Sequence, residues 1–412
     1  MNLSFYHRVL ILGAVGIFYT NIPVYVYANY GNASFAPPKY WAIAFCLSSL
    51  PILGIRKIRW NAFKSPVAIW AWAYALLTLL WFFPSSQTEV VWQEVRWRLL
   101  AIAEILLFLI IFLEPNAVRL ARKTLMIAVL LAVALNIYEL FYPRSFSMVL
   151  GRSAGLYINP TNAGEAMVLG MILSITLLLP RYRVAFMLLV GIGTLATFSR
   201  SGMAAWIVAV VGFLVVGRVS LKHLFFSSAI GLLLVFFILV PHWDELLTTL
   251  ERSGTINANV QERLEWFADP TGVSDYSSWE RQYVAQRAWN KVSEHPFLGS
   301  GTGSSYEAAI PPHNQYLSYM LDHGLIGVTI LPLLILAATW GARSECRYVA
   351  LIFGCSFTVL CFSSNTILTD SYVLVIISVM AAMAGNSGHR QIPAAATMDG
   401  RNMETNAALA AS

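Results

Sequence analysis

Residues 311–317 read Pro-Pro-His-Asn-Gln-Tyr-Leu and close the one long polar stretch of the 412-residue chain, which begins at His242. The sequence on both sides of this stretch is apolar. Hydrophobic residues make up 58% of the chain and charged residues only 12%, about half the charged fraction of an average soluble domain. The composition therefore predicts an all-α polytopic membrane protein in which one large loop interrupts the membrane-spanning helices.

Twelve apolar segments are long enough to cross a bilayer core of about 30 Å as helices. They lie at residues 8–27, 40–55, 66–83, 98–113, 124–142, 163–179, 183–199, 201–217, 222–241, 316–340, 347–364 and 368–385. The chain then divides into a membrane domain with spans 1–9 (1–241), the polar loop (242–315), spans 10–12 (316–385) and a polar tail (386–412). The tail lacks apolar periodicity, so we expect it to be disordered.

The polar loop has helical segments of its own. Apolar residues at helical spacing predict short helices at 243–251 and 261–267. Residues 277–280, Ser-Ser-Trp-Glu, have the spacing of a capping box and predict a third helix that reaches about Ser293. Pro296 ends this helix because proline has no backbone N–H to donate.

The distribution of Lys and Arg orients the bundle, since basic residues in short loops stay in the cytoplasm. If the N-terminus is cytoplasmic, every interior loop on that side carries at least two basic residues. Both termini are then cytoplasmic, and the long loop lies outside the cytoplasm. This bias also explains the net charge of +6, so the charge does not indicate nucleic-acid binding.

Several common sites are not indicated by the sequence. The four cysteines form no Cys-x-x-Cys pair and none lies in the polar loop, so we expect neither a disulfide framework nor a metal site. The chain has no Gly-x-x-x-x-Gly-Lys phosphate loop and no Asp-x-Asp pair for a nucleotide-bound metal. If the chain is an enzyme, its driving energy resides in the substrate.

His313 is the strongest candidate for chemistry. It follows Pro311 and Pro312 and precedes an apolar segment, which predicts a position beside a helix N-terminus. The positive end of the helix dipole disfavours imidazolium there and keeps the ring neutral, the state that accepts a proton. The alternative is an interfacial histidine that is hydrogen-bonded to a loop carbonyl.

Four arginines are candidates for binding a phosphate or pyrophosphate: Arg152, Arg200, Arg263 and Arg281. A guanidinium stays protonated and offers a fixed fork of donors that suits such anions. Acidic residues outnumber basic ones by ten to five between residues 242 and 312, so a merely electropositive funnel is not expected. The alternative for each arginine is an ion pair or a carbonyl clamp.

Glu104, Glu165 and Asp322 with His323 lie in predicted spans, where ionisable residues are costly. They are either proton-relay residues of a transporter or groups that bond neighbouring helices. The glycines of residues 299–303 offer backbone amides that can hold a phosphate, although they follow no strand and are weak as a motif.

Four segments, taken in order, give the chain a resemblance to a known family. They are Gly-Leu-Tyr-Ile-Asn-Pro-Thr-Asn (155–162), Ser-Arg-Ser-Gly (199–202), His-Pro-Phe-Leu-Gly-Ser-Gly (295–301) and His-Asn-Gln-Tyr-Leu (313–317). With the twelve-span layout and the large loop before the tenth span, the chain resembles the O-antigen ligase family. That family belongs to the lipid-carrier-dependent glycosyltransferases, and the resemblance implies a GT-C-like arrangement of helices.

The resemblance implies transfer of an O-antigen polysaccharide from undecaprenyl diphosphate to a sugar hydroxyl of lipid A–core. The reaction would take place at the periplasmic face of the bacterial inner membrane, by a metal-independent inverting displacement without a cofactor. His313 would be the general base. The diphosphate would be held by Arg200, Arg263, Arg281 and Arg152, with Asn314 and Asn159 in secondary roles.

Other functions fit the same sequence. A polymerase of the same superfamily is one, although polymerases often have two sizeable periplasmic loops and this chain has one. A protein O-oligosaccharyltransferase of the superfamily is another, since the loop does not identify the acceptor. A transporter of lipid-linked sugars would instead keep its function after His313→Ala and would depend on Glu104, Glu165 or Asp322.

Overall fold

The computed structural model describes residues 3–31, 37–55, 62–239, 260–261, 276–307 and 311–387. Arg263, the predicted helix at 243–251, all of the predicted helix at 261–267 except Gln261, and the tail from residue 388 onward lie outside these ranges. Within the described ranges the regular structure is entirely helical, which confirms the predicted all-α class.

The α-helices of the described ranges are 5 to 27 residues long. They are α1 (Phe5–Gly13), α2 (Ile22–Tyr30), α3 (Pro38–Ser49), α4 (Pro51–Ile55), α5 (Pro66–Leu80), α6 (Glu89–Phe112), α7 (Pro115–Phe141), α8 (Pro160–Ser174), α9 (Pro180–Ala196), α10 (Arg200–Val215), α11 (Leu221–Leu239), α12 (Tyr276–Glu294), α13 (Gln315–His323), α14 (Gly327–Thr339), α15 (Glu345–Cys361) and α16 (Ser371–Ser387). A π-helical segment, Ala14–Tyr19, continues α1.

Local sequence explains where many of these helices begin. Proline is the first residue of α3, α5, α7, α8 and α9, a position where its missing N–H would have had no intrahelical partner. The predicted helix at 277–293 is confirmed as α12. Asn21 has φ 61° and separates the segment Phe5–Tyr19 from α2, which bends away by 52°.

Every predicted apolar segment overlaps one helix or two consecutive helices. By length and composition, α7 and the segment Gln315–Thr339 can each cross a membrane, and the bent pair Phe5–Tyr19 and Ile22–Tyr30 gives a third if it is one span. The apolar helices are thus compatible with a membrane protein. The number of twelve spans stays a prediction.

Two helices lie at the centre of the bundle, since both are buried over most of their length. In α16 every residue from 372 to 380 is buried, and in α8 every residue from 163 to 174 is buried. A helix that is enclosed on all sides needs small and apolar residues around its whole circumference. Glu165 of α8 and Ser378 of α16 are among the polar residues that the bundle encloses.

A buried polar cluster joins α6 to α13. Arg98 donates from Nε to Glu94 over 2.7 Å and pairs through Nη2 with Asp322. The Asp322 carboxylate also accepts from the Ser305 backbone N–H at 2.9 Å, and Arg98 Nη1 lies 3.0 Å from His323 Nε2. Two of the polar groups that the sequence placed in the membrane therefore bond neighbouring segments.

Candidate active site

Helices α8, α10 and α13 begin at the same end of the bundle, and each N-terminus is capped by a side chain. Asn159 accepts from the Thr161 N–H at 2.9 Å, Ser199 from the Gly202 N–H at 3.2 Å, and Asn314 from the Leu317 N–H at 3.1 Å. Asn159 and Asn314 are therefore N-cap residues. Capped N-termini carry partial positive charge and favour a nearby anion.

Close packing and hydrogen bonds bring these N-termini together. A Cβ atom on Gly164 of α8 would lie only 3.3 Å from Ser199, so α8 and the start of α10 are nearly in backbone contact. At the start of α13, Gln315 Oε1 accepts from the Ile367 N–H at 3.1 Å. This bond attaches α13 to the segment that precedes α16.

His313 is exposed and lies directly before the N-cap of α13, which confirms its predicted place beside a helix N-terminus. Partial burial lowers the pKa of His313, and the positive charge of Arg281 lowers it further, whereas Glu280 opposes the shift. An ordinary histidine titrates near pH 6.5. The ring is therefore neutral at pH 7 and can accept a proton.

Arg281 lies on α12, which packs on α13 through Ala288 and Val292 against Leu317 and Leu321. Its side chain is exposed, and it acts electrostatically on both His313 and the buried Glu165 of α8. The structure thus brings Arg281 to the same region as His313, although the two are 32 positions apart in the sequence.

Arg152 and Arg200 both lie at the turn between α9 and α10. Arg152 donates from Nε to the Thr197 carbonyl at 3.0 Å, and Arg200 is the first residue of α10. Both side chains are half-buried. The carbonyl clamp that the sequence left open is therefore observed for Arg152. Arg263, the fourth candidate, lies outside the described residues.

Asp370 is a site residue that the sequence reasoning missed. Its Oδ2 accepts from Thr366 Oγ1 at 2.7 Å and from Asn162 Nδ2 at 3.5 Å, which ties the segment before α16 to the start of α8. The residue falls near the edge of the predicted span 368–385, where the apolar pattern alone indicates a helix, whereas the structure begins α16 at Ser371. An acidic residue at the start of an apolar segment was the signal that could have identified it.

The charged groups of this region are linked by a row of electrostatic interactions. Arg281 acts electrostatically on His313 and Glu165, Asp370 acts on Glu165, and Lys39 acts on Asp370. In this series two cations, Arg281 and Lys39, flank two carboxyl groups, Glu165 and Asp370, and His313 is linked to Arg281. Such a row can bind an anionic group near Arg281, take up a proton at His313 and bind hydroxyl groups near Asp370.

Glu165 is held inside this row. Its Oε2 accepts from the Tyr372 hydroxyl at 3.1 Å, and its Oε1 has no hydrogen-bond partner among the described residues. In the part of the chain that the structure describes, no group of three or more His, Cys, Asp or Glu side chains is placed to hold a metal ion.

Residues 184–332 match the family model described as O-antigen ligase. The matched range runs from α9 to α14 and includes Arg200, Arg281 and His313, whereas Arg152, Asn159 and Asp370 lie outside it. No curated protein matches the chain.

Proposed function

We propose that this chain, a member of the O-antigen ligase family, transfers O-antigen polysaccharide from undecaprenyl diphosphate to a sugar hydroxyl of lipid A–core. The observation that carries the proposal is the position of His313. The residue is an exposed, neutral base beside a capped helix N-terminus, and the positive charge of Arg281 lies close to it. These are the groups that an inverting displacement of a diphosphate needs.

In the proposed reaction, His313 takes the proton from the acceptor hydroxyl. The hydroxyl oxygen attacks the anomeric carbon of the first O-antigen sugar on the face opposite the diphosphate. The bond from that carbon to the diphosphate oxygen breaks, its electron pair leaves with the lipid diphosphate, and the anomeric configuration inverts. The proton stays on His313 until it passes to solvent or to the diphosphate.

The arginines stabilise the leaving group in this mechanism. Charge develops on the diphosphate as the bond breaks, and fixed guanidinium donors lower the energy of that state. The proposal gives this role to Arg200, the first residue of α10, and to Arg281, which acts electrostatically on His313. The dipoles of α10 and α13 add to the effect. Arg152 holds the turn in shape through the Thr197 carbonyl and contributes its charge. Arg263 is the further diphosphate ligand. No metal or cofactor takes part.

The proposal includes the location of the site. The chain crosses the bacterial inner membrane twelve times, both termini are cytoplasmic, and the site faces the periplasm. The basic interior loops support this orientation. The twelve apolar segments that coincide with helices support the number of spans.

The test uses purified protein with lipid-linked polysaccharide, lipid A–core and EDTA, and it follows the mass of the core. We expect the core to shift to higher mass with wild-type protein and with His295→Ala, but not with His313→Ala. His295 is a matched control because it is an exposed histidine of the same polar region.

Other outcomes would identify the alternatives. Longer glycans on the carrier with an unchanged core would identify a polymerase, and transfer to a polypeptide would identify a protein O-oligosaccharyltransferase. Transfer that persists in the folded His313→Ala variant would contradict the assignment of the base. A transporter would depend on Glu104, Glu165 or Asp322, of which Asp322 is already paired with Arg98.

A further inference from the structure

A cleft of about 490 Å³ opens beside the segment that precedes α16. No step of the proposed mechanism takes place in this cleft. Its volume lies in the usual range for a small-molecule site. The residues that decide its chemistry are Lys39, Gln93, Glu94, Trp97, Tyr306 and Asp370.

The charges in this cleft are compensated. Lys39 acts electrostatically on Asp370 and on the buried Glu104, and it donates to the Thr369 carbonyl. Glu94 accepts from Arg98 at 2.7 Å. An anion entering the cleft would therefore meet one ammonium that already faces two carboxylates. This composition contrasts with the region of Arg200 and Arg281 and disfavours a phosphate or diphosphate.

The cleft combines aromatic rings with groups that bind hydroxyls. The Lys39 ammonium lies 5.7 Å from the centre of the Trp97 ring. The Tyr306 hydroxyl donates to the Asn365 carbonyl at 2.8 Å, which fixes that ring. Gln93 is exposed, and Asp370 Oδ1 accepts no hydrogen bond from the residues that the structure describes. A sugar has an apolar face for the rings and hydroxyls for the amide and carboxylate.

The cleft is connected to His313 by a short path of bonds. Asp370 lines the cleft and accepts from Thr366, which also lines it. The adjacent Ile367 N–H donates to Gln315, two residues after His313. A ligand in the cleft therefore lies against the same turn that carries the start of α13.

We infer that this cleft binds the neutral terminal sugars of the acceptor and presents a hydroxyl to His313. The inference rests on the proposed function and names the subsite for one of its two substrates. The diphosphate of the donor lies on the side of Arg200 and Arg281, and the acceptor sugar lies on the side of Trp97 and Lys39. Asp370 is a positioning residue between the two sides.

The first test compares Trp97→Ala with Trp92→Ala. Both tryptophans lie on α6, but Trp92 packs on Phe82 and does not line the cleft. Removing one aromatic contact should raise the KM for acceptor about tenfold. We expect Trp97→Ala to do so with the KM for donor unchanged, and Trp92→Ala to change neither. If Trp97→Ala fails to fold, Gln93→Ala takes its place in the test. Gln93 is exposed, and its loss should also raise the KM for acceptor.

The second test measures binding without turnover. A lipid-free oligosaccharide of the neutral terminal hexoses of the core is titrated into the His313→Ala protein and followed by saturation-transfer NMR. We expect binding that weakens with the added Trp97→Ala change and that inorganic pyrophosphate does not displace.

The outcomes separate this inference from the proposed function. Wild-type transfer with a raised donor KM in Trp97→Ala, or saccharide that pyrophosphate displaces, would overturn the inference and leave the ligase intact. Saccharide binding that depends on Trp97, together with no transfer by wild-type protein, would support the cleft and overturn the ligase. Saccharide binding that is absent or independent of Trp97 would overturn the inference in either case.

Discussion

Two charges of opposite sign act on His313, and their balance affects the pH dependence of the proposed reaction. Arg281 disfavours the imidazolium and Glu280 favours it. The base must be neutral to act, so the rate falls as the pH drops through its pKa. Since that pKa is lowered, we expect kcat/KM to stay constant at neutral pH and to fall only below about pH 6.5.

Substitution of the two neighbours should move this fall in opposite directions. Arg281→Gln removes a positive charge, raises the pKa of His313 and shifts the fall to higher pH. Glu280→Gln removes a negative charge and shifts it to lower pH, while Arg281→Lys keeps the charge and the wild-type position. The measurement is kcat/KM for acceptor against pH. A fall at the same pH in all four proteins would show that His313 is not the titrating base.

In the proposed mechanism Arg200 binds the diphosphate through its guanidinium, and Arg200→Lys replaces that group by an ammonium. An ammonium cannot reproduce two parallel donors in one plane. We expect Arg200→Lys to raise the KM for donor roughly tenfold and to leave the KM for acceptor unchanged. The control is Arg96→Lys, because Arg96 forms an exposed ion pair with Glu89 on α6. An unchanged donor KM in Arg200→Lys would identify a structural role for Arg200.

The residues of the site differ in how far the sequence could predict them. His313 was predictable because proline, histidine and an apolar segment follow one another directly. The position of Arg281 near Glu165 was not, because it depends on how α12 packs against the bundle. Asp370 was missed for the same reason. Its importance arises from Thr366 and Asn162 in three-dimensional contact, which no local pattern contains.

The glycine-rich turn at residues 299–303 uses its backbone amides inside the protein. Two of its amides are used inside the protein, since Ser300 N donates to Leu321 at 2.8 Å and Gly301 N donates to Asp322 at 3.0 Å. They are not available to a phosphate. These two amides therefore do not support the alternative of a phosphate-binding turn, and they fix the turn to the end of α13.

This role predicts a large stability effect at Gly301. Its φ is 96°, and a Cβ there would lie 2.7 Å from the Ser85 Cα. Gly217 also has positive φ, at 70°, but has open space around it. We expect Gly301→Ala to lower the Tm in nanodiscs clearly more than Gly217→Ala, which costs only the backbone strain of roughly 1–3 kcal/mol. Equal shifts in the two variants would contradict the close packing of the turn.

The buried Arg98–Asp322 pair joins α6 to α13, and we expect it to contribute strongly to stability. Arg98 is 2% exposed and Asp322 fully buried, so removing one partner leaves an uncompensated charge. We expect Arg98→Leu to destabilise the protein by about 3–5 kcal/mol, measured as a loss of folded protein in detergent. Arg96→Leu, at an exposed position on the same helix, should have almost no effect. A well-folded Arg98→Leu protein would show that the buried pair is dispensable.

Across the bundle, the apolar segments predicted where helices occur but not where a helix is interrupted within a segment. Each segment is helical, because burying an apolar run in a bundle or a bilayer requires its backbone to be hydrogen-bonded internally. The breaks at Asn21 and Gly324 were not predicted. Both residues have positive φ, 61° in each case, and the packing of the surrounding helices decides whether such a residue ends a helix.

The orientation of the bundle in the membrane can be tested from its two sides. Positively charged loops stay in the cytoplasm, which places Lys123 inside and Lys291 of α12 outside. Both side chains are exposed. After the four native cysteines are replaced by serine, Lys291→Cys should react with a membrane-impermeant maleimide on spheroplasts, and Lys123→Cys only after the membrane is permeabilised. The reverse pattern would place His313 in the cytoplasm, where a periplasmic acceptor cannot reach it, and would contradict the proposed reaction together with the topology.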